Sequence, residues 1–348
     1  MAYSTVNKHT DFFNTKLYTG TGSSNAISGV GFKPDLVWTK ARSEARGHNL
    51  NDIVRGPSKW IGSNDTATEQ TVAQGLTSFD SDGFTVGTGN DINKNTITFA
   101  SWNWLAGGNQ GSSNTDGSIN TTYTSVNTTA KFSISTWTGT GSNATVGHGL
   151  GVAPKMIIFK RLDSADDWTV YHVRLGETTK IDLNGTATSS TVSSVFNDTA
   201  PTSSVFSVGT NGRTNASGGN YVAYCFTDVD GYSKCGKYTG NNSSSGPFIY
   251  TGFKPSFIMI KRYDATGDWR IYDTKRFSAG GPNNKLHYLR PNNATTEGST
   301  DSGGNWDMLS NGFRFYTSES EINGGGDYIY YAVGQTVVGS NNVAATAR

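Results

Sequence analysis

The residues able to do chemistry are few and scattered. Five histidines, His9, His48, His148, His172 and His287, stand far apart, and none has a second His or Cys at zinc spacing. No HExxH or GxSxG occurs. The glycine-rich "SGVGF" and "GHGLG" lack a following Walker lysine and lead into strand-like runs, so a phosphate cradle at a helix start is not expected. "ESE" places Glu319 and Glu321 on one face if extended, the arrangement a glycosidase needs. Its counterparts elsewhere, "GND" and "NGR", are turn residues, which favours a solvated turn. "DSDG" at 80–83 could ligate calcium or simply close a hairpin. The expectation is no catalytic set, no metal and no cofactor. Ligand contacts, if present, would come from aromatic side chains that sugars stack on. Trp168 and Trp269 recur at one position, which reads as core packing. Trp60, His287, Tyr288 and Trp306 do not recur and are the candidate ligand-binding residues.

The elements that must position these residues repeat. "GFKPDLVWTK" (31–40), "GVAPKMIIFK" (151–160) and "GFKPSFIMIK" (252–261) each enter through a proline, Pro34, Pro154 or Pro255. Each ends on a lysine: Lys40, Lys160 and Lys261. A snorkelling stem with a solvated or carboxylate-paired head is expected there. Upstream stand "YTGTGSSN", "WTGTGSNA" and "YTGNNSSS". Downstream, "DWTVYHVR" matches "DWRIYDTK", while the first copy has "GHNLNDIV" with His48 in place of the tryptophan. Asp52 and Asp273 share an offset that His172 fills in the second copy, which makes them possible partners of the lysines. Each copy then has a turn into "GFTVGT", "VFSVGT" or "GFRFYT", and closes on "NTITFASW", "NYVAYCF" or "DYIYYAV".

Repetition at roughly 100 residues fits a small complete domain rather than a solenoid unit. Short β-branched and aromatic runs between Gly, Asn and Ser turns read as strands, with no sustained helical period. The predicted fold is all-β, three tandem antiparallel β-sandwich modules of jelly-roll or lectin type. The boundaries are an N-terminal docking arm (1–15), module 1 (16–105), a Ser/Thr/Gly/Asn-rich linker (106–130), module 2 (131–230), module 3 (231–338) and a C-terminal tail (339–348). Each module is expected to fill its own core. A single pseudo-threefold barrel is the competing architecture.

Composition narrows the function. Hydrophobic residues make up 34% and aromatics 12%, with a net charge of +1, which is not the profile of a disordered chain. No basic run offers a nucleic-acid footprint, so no nucleic acid is expected as a partner. "MAYSTVNKHTDFFN" has no apolar core for a signal peptide, and the longest apolar runs are too short to cross a bilayer, so no membrane insertion is expected and a soluble protein made in a cytoplasm is. Cys225 and Cys235 make no disulfide framework, and Cys225 in "YVAYCF" reads as a buried thiol.

The run "TVGHGLGVAPKMIIFKRLDSADDWTVYH", the later "FNDTAPTSSVFSVGTNGRTNASGGNYVAYCFTDVDGYSKCGKYTGN" and "YTGFKPSFIMIKRYDATGDWRIYDTKR" resemble tail-fibre-like and other structural proteins of tailed bacteriophages, especially marine ones. The likeness covers roughly residues 13–335. It implies a virion component, assembled in the host cytoplasm, with lectin-like sandwiches. It carries over no catalytic residue. "ARSEARGHN" departs from the pattern in the first copy, which puts a shared surface role there in doubt. The expected function is a non-enzymatic tail fibre or tail-associated appendage contributing to host-surface glycan attachment. Other virion proteins would be met through the N-terminal arm, and a homo-oligomer, a trimer above all, is expected. The alternatives are a capsid decoration or head-fibre protein, and a surface-glycan-cleaving enzyme.

Overall fold

The computed structural model describes residues 4–276, 287–299 and 305–335. The chain is all-β, built of antiparallel sheets packed as sandwiches. The first copy contributes β1 (Phe13–Thr19), β2 (Asn25–Ser28), β3 (Leu36–Ala41), β4 (His48–Asp52), β5 (Lys59–Trp60), β6 (Gln70–Thr71), β7 (Leu76–Asp80), β8 (Gly83–Val86) and β9 (Thr98–Trp104). The second contributes β10 (Tyr123–Asn127), β11 (Phe132–Thr138), β12 (Ala144–Gly147), β13 (Met156–Arg161), β14 (Thr169–His172), β15 (Thr179–Asp182), β16 (Ser190–Thr191), β17 (Val205–Val208) and β18 (Asn220–Phe226). The third contributes β19 (Ser233–Thr239), β20 (Phe248–Tyr250), β21 (Pro255–Arg262), β22 (Arg270–Asp273), β23 (His287–Tyr288), β24 (Gly298–Ser299), β25 (Asn305–Leu309), β26 (Gly312–Tyr316) and β27 (Asp327–Gly334).

Each copy has a main sheet in which the proline-led strand lies between a closing strand and a short partner. The orders are β1-β9-β3-β4, then β11-β18-β13-β14 within a longer sheet, then β19-β27-β21-β22. A smaller sheet faces each: β2-β8-β7, β12-β17 and β20-β26-β25.

Period-two alternation explains why the proline-led strands are apolar on both faces. On β13, Ile157 and Phe159 face the small sheet with Trp137 and Phe206, while Met156 and Ile158 face away from it. On β21, Ile258 and Ile260 join Trp306 and Phe313, while Phe257 and Met259 turn to the other side. On β3, Val37 meets Phe84, while Leu36 and Trp38 turn away.

Each copy thus fills a core of its own between its two sheets, but the second faces meet one another, and the expectation of fully separate interiors is corrected by a further, shared one. One continuous apolar cluster takes Phe13, Trp38, Trp102 and Trp104 from the first copy, Phe132, Ile158, Trp168 and Phe226 from the second, and Phe257, Trp269 and Tyr331 from the third. The Trp104 ring lies 6.4 Å from Phe132, 6.1 Å from Phe226 and 5.7 Å from Phe257. Phe226 in turn lies 4.8 Å from Tyr331. The physical reason is area. A small sandwich hides only one face of its main sheet, and an apolar second face must be covered by another layer.

Two boundaries are corrected with it. Val6 is buried in the shared cluster and Phe13 opens β1, so residues 4–15 are not a free arm; residues 1–3 lie outside the described residues. Within 106–130, read as a linker, Tyr123–Asn127 pairs with β11, and Ile119 is buried against the second copy's small sheet. The tail 339–348 lies outside the described residues.

The "Thr-Gly" entries are fixed by a side chain the sequence reading missed. Asn93, Asn215 and Asn323 are fully buried. Asn215 donates to Ser142 O at 2.6 Å and Gly209 O at 2.8 Å, and accepts from Thr140 N at 2.8 Å. Asn93 and Asn323 repeat this with Ser23, Gly87 and Thr21, and with Ser243, Thr317 and Asn241. The entry glycines sit hard against the loop they grip: a Cβ on Gly20 would lie 2.1 Å from Lys94 O, and one on Gly240 2.1 Å from Gly324 O.

Candidate binding site

The recurring lysines are not solvated. Lys40, Lys160 and Lys261 are fully buried, and their ammonium groups meet backbone carbonyls. Lys40 donates to Ala41 O at 2.8 Å and Ala294 O at 3.4 Å. Lys160 donates to Arg161 O at 2.7 Å, Asp166 O at 3.1 Å and Thr66 O at 3.3 Å. Lys261 donates to Gly267 O at 2.7 Å and Thr186 O at 3.1 Å. Each lysine thus reaches a loop of another copy: first to third, second to first, third to second. The ring closes on itself. Backbone bonds follow the same circuit, Glu69 N to Leu162 O at 2.8 Å, Ser189 N to Tyr263 O at 2.9 Å and Glu297 N to Arg42 O at 2.9 Å.

The tryptophans lie on these seams. Trp168 Nε1 donates to Gly62 O at 2.7 Å and Trp269 Nε1 to Asp182 O at 2.9 Å. His48 takes the tryptophan's part at the third seam. Its Nδ1 accepts from Trp38 Nε1 at 2.9 Å, which leaves Nε2–H to donate to Arg290 O at 2.8 Å. Burial holds its pKa well below the ordinary histidine value, so the ring is neutral. The departure in the first copy therefore preserves the seam bond.

Asp52 and Asp273 do not pair with the lysines. Asp52 holds Arg55 at 2.5 Å and accepts from Tyr224 OH at 2.7 Å; Asp273 holds Arg276 at 2.6 Å and accepts from Trp102 Nε1 at 2.9 Å. At the matching place His172 Nε2 lies 3.3 Å from Tyr330 O.

Burial pulls the three lysines down from the usual value to about 8. The sign follows from proton counts. Between pH 8 and the ordinary lysine value the unfolded chain holds more protons on these side chains, so their contribution raises stability with rising pH. Cys225, pushed up to about 12 by burial, opposes this once free thiols ionise near pH 9. Urea midpoints are therefore expected to rise between pH 7 and 9, on the order of 1 kcal/mol per lysine, and to rise less in Lys160→Met. A flat profile in the parent chain would contradict it.

Of the four candidate ligand residues, His287 and Tyr288 are neighbours on β23 and Tyr288 packs against the cluster that holds Trp306, while Trp60 lines a separate cleft. Trp306 is buried and packs on Tyr272 at 4.8 Å and Phe315 at 5.5 Å, so it is a core ring and not a surface contact. A strand residue facing the small-sheet core has no route to a ligand. Tyr288 is sandwiched between the Arg270 and Arg290 guanidinium groups, at 4.0 and 4.7 Å from its ring centre. His287 beside it lies 3.6 Å from Glu297. Trp60 borders a cleft of ≈ 90 Å³ with Asn49, Asn51 and Asp91. That is well below the roughly 300 Å³ at which small-molecule pockets begin.

Glu319 and Glu321 lie in a turn, and both accept from Arg270, whose side chain is buried. The Arg270 guanidinium is shared between the two carboxylates and ties both to the body. Asp82 accepts from Gly29 N at 2.9 Å and Gly31 N at 2.7 Å, and Asp80 from Ser78 and Thr85 hydroxyls, so "DSDG" closes its hairpin. Among the described residues, no three His, Cys, Asp or Glu side chains converge as a metal site.

The open surface lies elsewhere. Phe248 and Tyr250 on β20 are 47% and 57% exposed, the most exposed large hydrophobic side chains among the described residues. They flank a groove of ≈ 330 Å³ bounded by β19 and lined also by Arg174, Lys234 and Lys237. The sequence signal was available. The matching positions are Ala26 and Ser28 in the first copy and Thr145 and Gly147 in the second, set by the shared pairing of Ile27, Val146 and Ile249 with Phe84, Phe206 and Phe313.

The chain belongs to a protein family whose description is "Domain of unknown function (DUF7483)"; the family model matches residues 8–336, across all three copies. No curated protein and no solved structure matches the chain. Among the described residues, no helix is long and apolar enough to cross a membrane.

Proposed function

We propose that this protein is a non-enzymatic structural component of a tailed-phage virion, a tail fibre or tail-associated appendage that contributes to attachment at host-surface glycan. The observation that carries the reading is the ring of seams. The side chains with chemical potential, the three lysines, Asp52, Asp273, the seam tryptophans and Glu319 with Glu321, are engaged in holding the body together. Such a molecule is suited to present surfaces rather than to turn over a substrate. The long likeness to phage structural proteins supports the setting. Copies in a homotrimer would add weak contacts through effective concentration.

The test is to label intact particles with an antibody against the purified protein and view them by electron microscopy. Signal on the tail is expected. Signal spread over the capsid would favour a decoration protein, and unlabelled particles would remove the virion role. In parallel, purified protein is expected to bind host cells or their extracted polysaccharide. Cleavage of that polysaccharide would overturn the non-enzymatic reading.

A further inference from the structure

The second copy contains its own template for what the groove of the third accepts. In the second copy, the edges of both sheets are covered by residues 112–127. Thr122 N donates to Thr136 O on β11 at 2.7 Å, and Tyr123–Asn127 continues the pairing. Ile119 N donates to Thr145 O on β12 at 2.9 Å, and the Ile119 side chain is buried with Trp137, Val146 and Phe206. One extended segment thus pairs with both edges and plugs the gap between them.

In the third copy the chain passes from β18 to β19 through 227–232, and no such segment is present among the described residues. Lys237 stands where Thr136 does, because Tyr238 pairs with Tyr328 as Trp137 pairs with Tyr221. Cys235 N donates to Asp228, away from β27, while Gly240 N donates to Gly326 on the β27 side. Alternation therefore turns the Lys237 N–H and C=O outward, and neither has a partner among the described residues. Phe248 stands where Thr145 does, on the facing edge. Bare edges of this kind are templates for another strand.

We propose that the β19–β20 groove binds an extended segment of another polypeptide by strand addition, with an apolar side chain of that segment lodged against Phe248 and Tyr250 and a carboxylate beside the cations. The charge argument is specific. Lys234, Lys237 and Arg174 line the groove, and none has a carboxylate partner among the described residues. Lys234 instead lies over the Tyr250 ring at 5.1 Å. Main-chain bonds along Lys237 supply affinity, and the rings and cations select the sequence. The first copy has Ala26 and Ser28 in place of the rings. The inference does not depend on where the protein sits in a particle.

The test uses the full chain and a displayed library of random linear peptides. Selection is expected to enrich peptides that combine an apolar residue with Asp or Glu. Binding of a synthetic copy of an enriched peptide is expected to be at least tenfold weaker in Lys237→Pro than in Lys237→Ala; both remove the cation, and only the proline also removes the outward N–H while keeping the β27 ladder. It is expected to weaken comparably in Phe248→Ser with Tyr250→Ser. Unchanged urea midpoints in these variants show that the fold is retained. No enrichment, or enriched peptides indifferent to Lys237→Pro, overturns the proposal. So does dextran sulfate binding that is lost with the two rings but equal in Lys237→Pro and Lys237→Ala, which would mark a glycan site.

Discussion

Trp104→Ala is expected to lower the stability of the entire chain by about 3–5 kcal/mol, the range for truncating a large buried aromatic side chain. The ring is 2% exposed and touches Phe13 from its own copy, Phe132 and Phe226 from the second and Phe257 from the third. No neighbour can collapse into the space without moving a second sheet, which puts the effect at the high end. The form of the transition matters as much as its midpoint. Because one apolar cluster joins all three copies, urea unfolding followed by tryptophan fluorescence and by far-ultraviolet circular dichroism should give coincident curves in both parent and variant. If the copies had separate interiors, the variant would melt in two steps, with about a third of the ellipticity lost early. That outcome would contradict the architecture described above.

The second large effect is expected at Asp273. The Arg276 side chain is completely buried, and Asp273 is the partner closest to its guanidinium, at 2.6 Å. Glu297 follows at 3.0 Å and Ile271 O at 3.0 Å. Asp273 also accepts from Trp102 Nε1, and the Arg276 guanidinium lies 5.4 Å from the Trp102 ring. Asp273→Ala leaves a buried cation under-compensated and an indole N–H without its acceptor. A loss of about 3–5 kcal/mol follows, because removing one partner exposes the desolvation cost of the other. Asp273→Asn keeps an acceptor but not the charge and should recover part of it. The control is Asp163→Ala, which breaks the Arg161 pair at 3.0 Å where the carboxylate is 35% exposed. Exposed pairs contribute at most about 1 kcal/mol. Equal urea midpoints for Asp273→Ala and Asp163→Ala would refute the account of the seam.

The comparison of copies shows how a repeated scaffold acquires differences. His48 and Trp168 differ in size and chemistry, yet each donates a ring N–H to a carbonyl across a seam. Phe248 and Thr145 occupy matching edges, yet one is exposed and the other is paired with residues 118–119. Substitution at a seam is constrained by a partner within the chain. Substitution at an edge is free to follow a partner outside it.

What the sequence determined by itself is local. The "GFKP" entries, the β-branched runs after them and the turns at "DG" and "NG" specify strands, because alternation and turn geometry act over a few residues. The three-fold recurrence of Pro34, Pro154 and Pro255 was legible for the same reason. Only the tertiary structure decided what the second face of each strand meets. Trp38, Ile158 and Met259 look alike in sequence whether they face a private core or a common one. It also decided that Lys40, Lys160 and Lys261 end on carbonyls of another copy, that Trp306 is interior, and that residues 119–127 cover an edge whose counterpart in the third copy has no cover among the described residues. Those outcomes rest on which strands and copies meet, with Lys40 and Ala294 254 positions apart, and strand periodicity carries no record of such partners.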